Sequence, residues 1–372
     1  MLLPALLVRD YGLGGWFVFA IPNVIGAAAM GFVLGSREAS KSIVHRHRWA
    51  CAKFSQATIA YHVLVLPWVL VQLLEWSRLA VVILFVLLLG VGIVVVRSEH
   101  SVLGIAVLLS GTCVAFFLYL TNLPGIWSIE FNGGPRLSVT DMVLFAFATL
   151  CGFICCPYLD LTFHRARQSS GKAVFVIGFG VLFLIMIVFS LSYAGVVVER
   201  LAGTGQLELD RRWAVLLGLH ILLQSIFTIC VHLRETVLKM REVPAWSGPI
   251  VLLAIGLAIG FLLIDSDSIS RYGITEPEVL YRCLLLFYGL VFPAYVWLCM
   301  LPTWNCTSQR ARLRVWVCTV IVSLPMSYLG FVAGQSVWIL GALAVLLFSR
   351  VVIELLPSHE VENQCAPRIS QP

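Results

Sequence analysis

Charged side chains are scarce in this chain. Asp, Glu, Lys and Arg together make up 12% of its 372 residues, about half the share of a soluble domain. Hydrophobic residues make up 60%, and the mean hydropathy is +0.96. Because a soluble fold cannot hide so much apolar surface, this composition is typical of a protein whose solvent is the lipid bilayer. The sequence therefore predicts a multi-pass membrane protein.

Several chemical signatures are also missing from the sequence. The 11 cysteines form no CxxC pair and lie mostly in apolar segments, which favours buried reduced thiols over a disulfide or metal framework. No serine-hydrolase, kinase or zinc-protease motif is present. No apolar segment carries an acidic residue near its middle, which disfavours a proton relay built on a membrane carboxylate. We therefore expect no enzyme, no metal centre and no organic cofactor, with Na⁺ the one ion left open.

Long apolar runs define the fold class. A helix needs about 20 apolar residues to cross a bilayer, and eleven segments approach that length. The sequence thus predicts an all-α polytopic transmembrane helical bundle, in which residues 1–356 form the transmembrane domain and 357–372 a disordered cytoplasmic tail. The predicted spans are 16–35, 54–75, 79–96, 101–120, 142–158, 173–194, 213–232, 248–264, 278–301, 314–332 and 335–356.

The connections between these spans alternate in charge. If the first connection, 36–53, is cytoplasmic, most of the 25 lysines and arginines fall on the same side, as the positive-inside rule requires. The net charge of +6 is thereby assigned to orientation rather than to nucleic-acid binding. We predict a protein of the cell membrane with a cytoplasmic C-terminus, in which His45-Arg-His-Arg48 contacts anionic headgroups.

This orientation places the start of the chain outside. The apolar stretch Met1–Val8 is too short to span the membrane and is typical of the last turns of a helix. It lacks the basic leader of a cleavable signal peptide. We expect Met1–Gly15 to be exposed on the outer side.

Two stretches resemble the sodium:solute symporter family. Gly152-Phe-Ile-Cys-Cys-Pro157, followed by an Arg-containing turn, is similar to the Gly-Tyr-Phe-Gly-Gln-Pro-His segment that ends the family's sixth core helix. Leu2-Leu-Pro-Ala-Leu-Leu-Val-Arg-Asp-Tyr-Gly-Leu-Gly-Gly-Trp16 is similar to its LPG…YxxGLxxxW stretch. The resemblance implies a LeuT-like inverted-repeat fold, with the spans from 16–35 to 278–301 as core helices two to ten. Core helix one, which contributes to the substrate and sodium sites of such folds, has no counterpart, and this departure puts ion-coupled transport in doubt.

The segment around Pro157 is the first candidate site. Proline interrupts a helix and frees backbone groups, which at membrane depth must face protein or a watery cavity. On the resemblance, Cys155, Cys156 and Tyr158 would contact a substrate, although Cys156 replaces the family's glutamine; a helix that simply ends at Pro157 explains the same pattern. Asn23, beside Pro22 in the first span, is a further substrate-binding candidate or a polar contact between helices.

The polar helix 213–232 supplies the candidate ion site. His220, Gln224 and Thr228 share one face, which must point into the bundle. The resemblance makes this core helix eight, whose paired hydroxyls help to bind sodium; here only Ser225 and Thr228 could replace them, and hydrogen bonding between helices is the alternative.

The turn after Pro157 supplies the candidate gate. Asp160, His164 and Arg165 could form a cytoplasmic gate, with Asp160 paired to Arg165 or Arg167. A solvated basic loop is the alternative.

These features favour a carrier that works by alternating access. It would carry a small-molecule solute across the lipid bilayer, bind no nucleic acid and resemble the sodium:solute symporters. The alternative is a membrane sensor or scaffold that keeps this fold without transporting.

Overall fold

The computed structural model describes residues 2–95, 97–121, 137–202, 211–238, 274–304 and 307–356, together with Gly256 and Ile259. Throughout these ranges the chain is helical, as its composition predicts, and no strand occurs in them. The helices are α1 (Leu2–Tyr11), α2 (Leu13–Val33), α3 (Arg37–Arg46), α4 (Arg48–Pro67), α5 (Arg78–Val95), α6 (Glu99–Thr121), α7 (Val139–Cys155), α8 (Leu161–Ser169), α9 (Lys172–Ile177), α10 (Leu184–Ala202), α11 (Arg211–Leu233), α12 (Glu276–Leu286), α13 (Phe292–Tyr295), α14 (Gln309–Phe331) and α15 (Val337–Leu355).

Several helices continue through wider or tighter turns. Five π-helical segments extend or join them, and a 3₁₀ turn, Cys156–Tyr158, follows α7. Such segments shift the helical register and are frequent near functional sites. The π-helical segments are Trp68–Leu73, Gly178–Phe183, Arg234–Leu238, Phe287–Val291 and Val296–Met300.

Within the described residues, nine helical stretches are long and apolar enough to cross a membrane, and His100–Phe116 of α6 is a shorter apolar stretch. This supports the prediction of a multi-pass helical membrane protein. The predicted span 248–264 and the predicted tail 357–372 lie outside the described residues, apart from two positions in the former, so the count of eleven stays a prediction.

The bundle has two polar ends. We call the end that carries α3, α8 and the first turns of α4 and α14 the basic face. The end that carries the last turn of α1 and the first turns of α7 and α12 is the opposite face. Backbone contacts support this assignment, because Leu137 donates its N–H to the Asp10 carbonyl beside α7.

The segment before α2 differs from our expectation. It is a helix, α1, that packs against α2 and α10, and its residues Ala5 to Asp10 are buried. Its apolar face explains the burial, since Leu6, Leu7 and Val8 join the main hydrophobic core. The prediction of an exposed Met1–Gly15 is therefore wrong for α1.

The long helical stretches most enclosed by protein are Arg48–Leu73, which contains α4, Arg211–Thr236, which contains α11, and Pro277–Met300, which contains α13 and most of α12. α4 packs against α11, and α11 also contacts α5 and α6. In contrast, the long apolar side chains of α5 are mostly exposed, as at Leu79, Val86 and Val94. Exposed apolar surface on a long helix is typical of a lipid-facing side. The polar residues of α4 and α11 are thus the ones enclosed by protein.

Candidate functional site

A cavity of about 100 Å³ lies between α4, α10 and α11. Its apolar wall includes Val65 and Ile221. Aromatic, imidazole, amide and hydroxyl groups supply the polar part of its lining. These polar residues are Tyr61, His62, Tyr193, Gln224, Ser225 and Thr228. Because its α11 lining, residues 221–228, lies near the middle of that helix, we call this space the central cavity.

The α11 wall of the central cavity follows from helical spacing. Residues 221, 224, 225 and 228 recur at the intervals that share one helix face. The Thr228 hydroxyl donates to the Gln224 carbonyl at 3.0 Å, which leaves its oxygen able to accept. Ser225 and Thr228, the predicted ion-binding pair, therefore line the same cavity. Their role as ion ligands stays a prediction.

His220 lies on the predicted face of α11 but contacts another helix. Its Nε2 is 3.3 Å from the Cys113 sulfur of α6, and its ring packs edge-on against Phe189. His220 is not among the described residues that line the cavity. The polar face of α11 thus divides into a contact between helices and a cavity wall.

The α4 wall is aromatic, and we did not predict it. Nδ1 of His62 is 2.8 Å from the Thr58 carbonyl, so Nδ1 carries the proton and Nε2 is the acceptor in the neutral ring. Tyr61 packs against Tyr281 at 5.4 Å between ring centroids. The only sequence signal was the run of polar residues in an otherwise apolar helix.

A network of four charges joins α1 to α12 at the opposite face. Both guanidinium nitrogens Nη1 and Nη2 of Arg9 donate to the Glu278 carboxylate, at 2.9 and 2.6 Å, and its Nε donates to Asp10 at 2.9 Å. Arg282 donates to Glu278 at 2.8 Å and to Asp10 at 2.6 Å. Two cations thus face two carboxylates, and all four residues lie almost fully inside the protein.

No sequence pattern predicted that these four residues meet. The charge pattern assigns all four to the predicted outer connections. They form two pairs, Arg9 with Asp10 and Glu278 with Arg282, which lie about 270 positions apart in the sequence. The packing of α1 brings the two pairs together. The i, i+4 spacing of Glu278 and Arg282 on α12 was the one local signal. Since each carboxylate accepts from two arginines, the network ties α1 to α12 with full charge compensation.

Neutral hydrogen bonds join α3 and α8 at the basic face. Nε2 of His164 is 3.0 Å from the Tyr158 carbonyl, so it donates, and Nδ1 accepts from the Ser40 hydroxyl at 2.9 Å. Gln168 also donates to Ser40, at 3.2 Å. Burial lowers the pKa of His164 from its usual value, which keeps the ring neutral. His164, a predicted gate residue, thus joins α8 to α3.

Asp160 has different neighbours from those we predicted. It caps the N-terminus of α8 by accepting from the Thr162 N–H at 2.8 Å, and its other oxygen lies 4.0 Å from Nε2 of His232. His232 in turn lies 3.1 Å from the Ser55 hydroxyl. Arg167 donates instead to the carbonyls of Gly35 and Ser170. Arg165 lines a separate pocket at the basic face.

The remaining candidates lie away from the central cavity. Cys156 is buried in an apolar cluster with Cys51 and Phe292, and its thiol is 3.5 Å from the Tyr288 carbonyl. Cys155 and Tyr158 pack at the edge of the same cluster. Asn23 is half-buried on α2. None of these four is among the described residues that line the cavity, so the structure does not bring them together with Ser225 and Thr228.

Close helix packing at Gly152 and Gly26 explains part of this placement. A Cβ atom at Gly152 would lie 2.6 Å from the Tyr288 carbonyl oxygen, and one at Gly26 would lie 2.2 Å from the Phe153 oxygen. Gly152 therefore lets α7 approach its neighbour before the 3₁₀ turn. No group of three His, Cys, Asp or Glu side chains in the described part of the chain is placed to hold a metal ion.

Comparisons with family models, with curated proteins and with solved structures find no match to this chain. The resemblance to sodium:solute symporters therefore stays a prediction from the two short stretches. Function must be argued from the central cavity and from the polar contacts at the two ends of the bundle.

Proposed function

We propose that this protein is a secondary carrier that moves a small polar solute across the membrane by alternating access. The central cavity supports this proposal most directly. Placing polar groups inside a membrane bundle costs free energy unless they bond to one another or to a ligand. Here six polar side chains line one space.

The lining indicates the chemistry of the solute. Tyr61, Gln224 and Thr228 offer hydroxyl and amide groups, and the described lining carries no lysine, arginine or carboxylate. Such a surface suits a small solute without net charge, held by hydrogen bonds and aromatic contact. The volume of about 100 Å³ limits the solute to a small molecule in this conformation.

Sodium coupling is the finer part of the proposal. The hydroxyl oxygens of Ser225 and Thr228 and the carbonyl of the Gln224 side chain are hard donors of the kind that Na⁺ prefers. They lie on one helix face and in one cavity, as the resemblance to core helix eight implies.

Two of the helix contacts agree with repeated units. In the predicted order of spans, α2 is the first and packs against α9, which begins the sixth; α4 is the second and packs against α11, the seventh. An offset of five spans is what two five-helix repeats would produce, and α2 packs against α7, the fifth span, as well. The two offset pairs support a LeuT-like arrangement.

Alternating access also needs a closure on each side that can open separately. The four-charge network lies at one end of the bundle, and the His164 hydrogen bonds lie at the other. Because the two closures share no residue, one can open while the other holds.

Labelling of a cavity residue from each side tests this mechanism. Thr228→Cys would be treated with a membrane-impermeant maleimide in intact cells and in inverted membrane vesicles, with peptide mapping to distinguish residue 228 from native cysteines. We expect residue 228 to be labelled from both sides. Thr112→Cys, which faces outward from α6, is the control and should label from neither side.

A sensor or scaffold is the second candidate. The position of Cys155, Cys156 and Tyr158 away from the cavity favours it, because these predicted substrate contacts do not line the cavity. If residue 228 labels from one side only or from neither, the carrier proposal fails and this candidate replaces it.

A further inference from the structure

A second pocket, of about 340 Å³, opens at the basic face between α3, the start of α4 and α8. We call it the basic pocket. Its polar lining comes from two sides. Lys41, His45 and Arg48 lie on one side, and His164, Arg165 and Gln168 lie on the other.

We propose that the basic pocket binds a phosphate group, as carried by an anionic lipid headgroup or by a soluble phosphate. Three permanent cations, Lys41, Arg48 and Arg165, face one acidic residue, Glu235. The described lining thus keeps an excess of positive charge, whatever contacts its members make with each other. Lysine and arginine donors around one space are the groups that recognise phosphate oxygens.

Hydrogen bonds between the two sides of the basic pocket hold its shape. Ser40 of α3 is fully buried and bonds His164 and Gln168 of α8, and Arg167 bonds the Gly35 carbonyl that precedes α3. These contacts fix the distance between the two helices. The cationic side chains therefore project from a rigid frame, which lowers the entropy cost of binding.

Two features indicate that a lipid can supply the phosphate. Val44 and Leu161 give the pocket an apolar part, which can contact the stem of a lipid. Trp49, next to Arg48, is 58% exposed and packs edge-on against Trp316. Exposed tryptophan is typical of the membrane–water interface, and basic pockets at that level bind anionic headgroups.

Binding measurements on the full-length protein in neutral detergent test the proposal. One arm adds phosphatidylglycerol, with phosphatidylcholine as the neutral reference, and counts the lipids retained by native mass spectrometry. The other arm adds inorganic phosphate and measures the melting temperature. Retention of phosphatidylglycerol identifies a lipid site, and stabilisation by phosphate alone identifies a soluble ligand; either result supports the proposal.

Charge removal locates the site. Lys41→Gln with Arg165→Gln should weaken binding about 30-fold, given the contribution of each cation near an anionic surface. Lys41→Gln alone, at an exposed side chain, should weaken it about 5-fold without affecting folding. Glu235→Gln should strengthen binding, because it removes the one negative charge of the lining.

Arg310→Gln is the matched control, because Arg310 is an exposed arginine at the basic face outside the pocket. It should change binding less than 2-fold, a value at the limit of a screened surface charge. Equal weakening by Arg310→Gln and Lys41→Gln, or no binding of either probe to the unmodified protein, would overturn the proposal.

Discussion

The two ends of the bundle bury polar groups in different ways. At the opposite face, two arginines and two carboxylates cancel one another inside the protein. At the basic face, the contact between α3 and α8 is neutral, since the Ser40 hydroxyl donates to the uncharged His164 ring, while charged side chains line an open pocket. One end thus joins its helices through compensated charge, and the other joins α3 to α8 through neutral hydrogen bonds.

This difference teaches how each end should respond to its surroundings. A buried ion network loses most when one partner is removed, because a charge is then left uncompensated in a poor solvent. A neutral imidazole loses most when it gains a proton. The two ends can therefore be separated by mutation and by pH.

The largest effect should follow Glu278→Gln. It leaves Arg9 and Arg282 with one carboxylate, and we expect a loss of about 3–5 kcal/mol of stability, as for other broken buried ion pairs. Thermal unfolding in detergent measures it. The control is Glu354→Gln, where Arg350 and Glu354 form an i, i+4 pair at 3.1 Å with side chains 17% and 21% exposed; this change should cost about 1 kcal/mol or less. Equal losses would remove the distinction between a buried and a surface pair.

Backbone packing should produce the next effect. Gly26→Ala places a Cβ 2.2 Å from the Phe153 oxygen, so α2 and α7 must separate, at a cost of about 1–3 kcal/mol. Gly90→Ala meets no atom within 4 Å and should be neutral or slightly stabilising, because alanine favours helix. If Gly26→Ala is as well tolerated, close packing of α2 on α7 does not support the basic end, and polar contacts alone hold it.

The hydrogen bonds of the basic face should contribute less than the ion network. His164→Ala leaves the Ser40 hydroxyl and the Tyr158 carbonyl without this partner, and we expect a loss of about 1–3 kcal/mol. The melting temperature again measures it. Ser169→Ala, at the exposed end of the same helix, should change stability by about 0.5 kcal/mol or less. If His164→Ala lowered stability as much as Glu278→Gln, the neutral hydrogen bonds would not be weaker than the ion network.

Lowering the pH should have the smallest effect on stability, and this effect should arise at the basic face. Burial, with Arg46 and Arg312 nearby, lowers the pKa of His47 to about 4, and burial also lowers the pKa of His164. The unfolded chain therefore binds these protons first as the pH falls below about 6.5, and stability declines from there towards pH 4. Melting temperatures from pH 7 to pH 4 should show this slope.

The same titration separates the two ends. His47→Gln should flatten the acid slope, whereas Glu278→Gln should lower stability while leaving the slope due to the histidines in place. A slope that is unchanged in His47→Gln would show that this imidazole does not carry the acid response.

Apolar patterning predicted much of the fold. The spans around α2, α4, α7 and α14 correspond to apolar runs whose length is set by the bilayer, and Pro157 does end α7. Pattern indicated helical turns at Met1–Val8 but not the burial of α1, because this burial depends on the neighbouring α2 and α10.

For the candidate site, periodicity predicted that Gln224 and Thr228 face the interior, and both line the central cavity. The aromatic wall at Tyr61 and Tyr193 went unpredicted, because which helices surround a cavity depends on packing between distant segments. Asp160 shows the same limit, since its charge suggested an arginine partner while its position made it a helix cap beside His232.

The sequence by itself determined that the chain is a helical membrane protein, because the hydrophobicity and length of each segment are local properties. These properties decide whether a helix can span the bilayer. Only the tertiary structure decided which polar residues meet. Arg9 and Glu278 lie 269 positions apart, and Ser40 and His164 lie 124 apart; such pairs arise from how helices pack, which no local pattern of residues encodes.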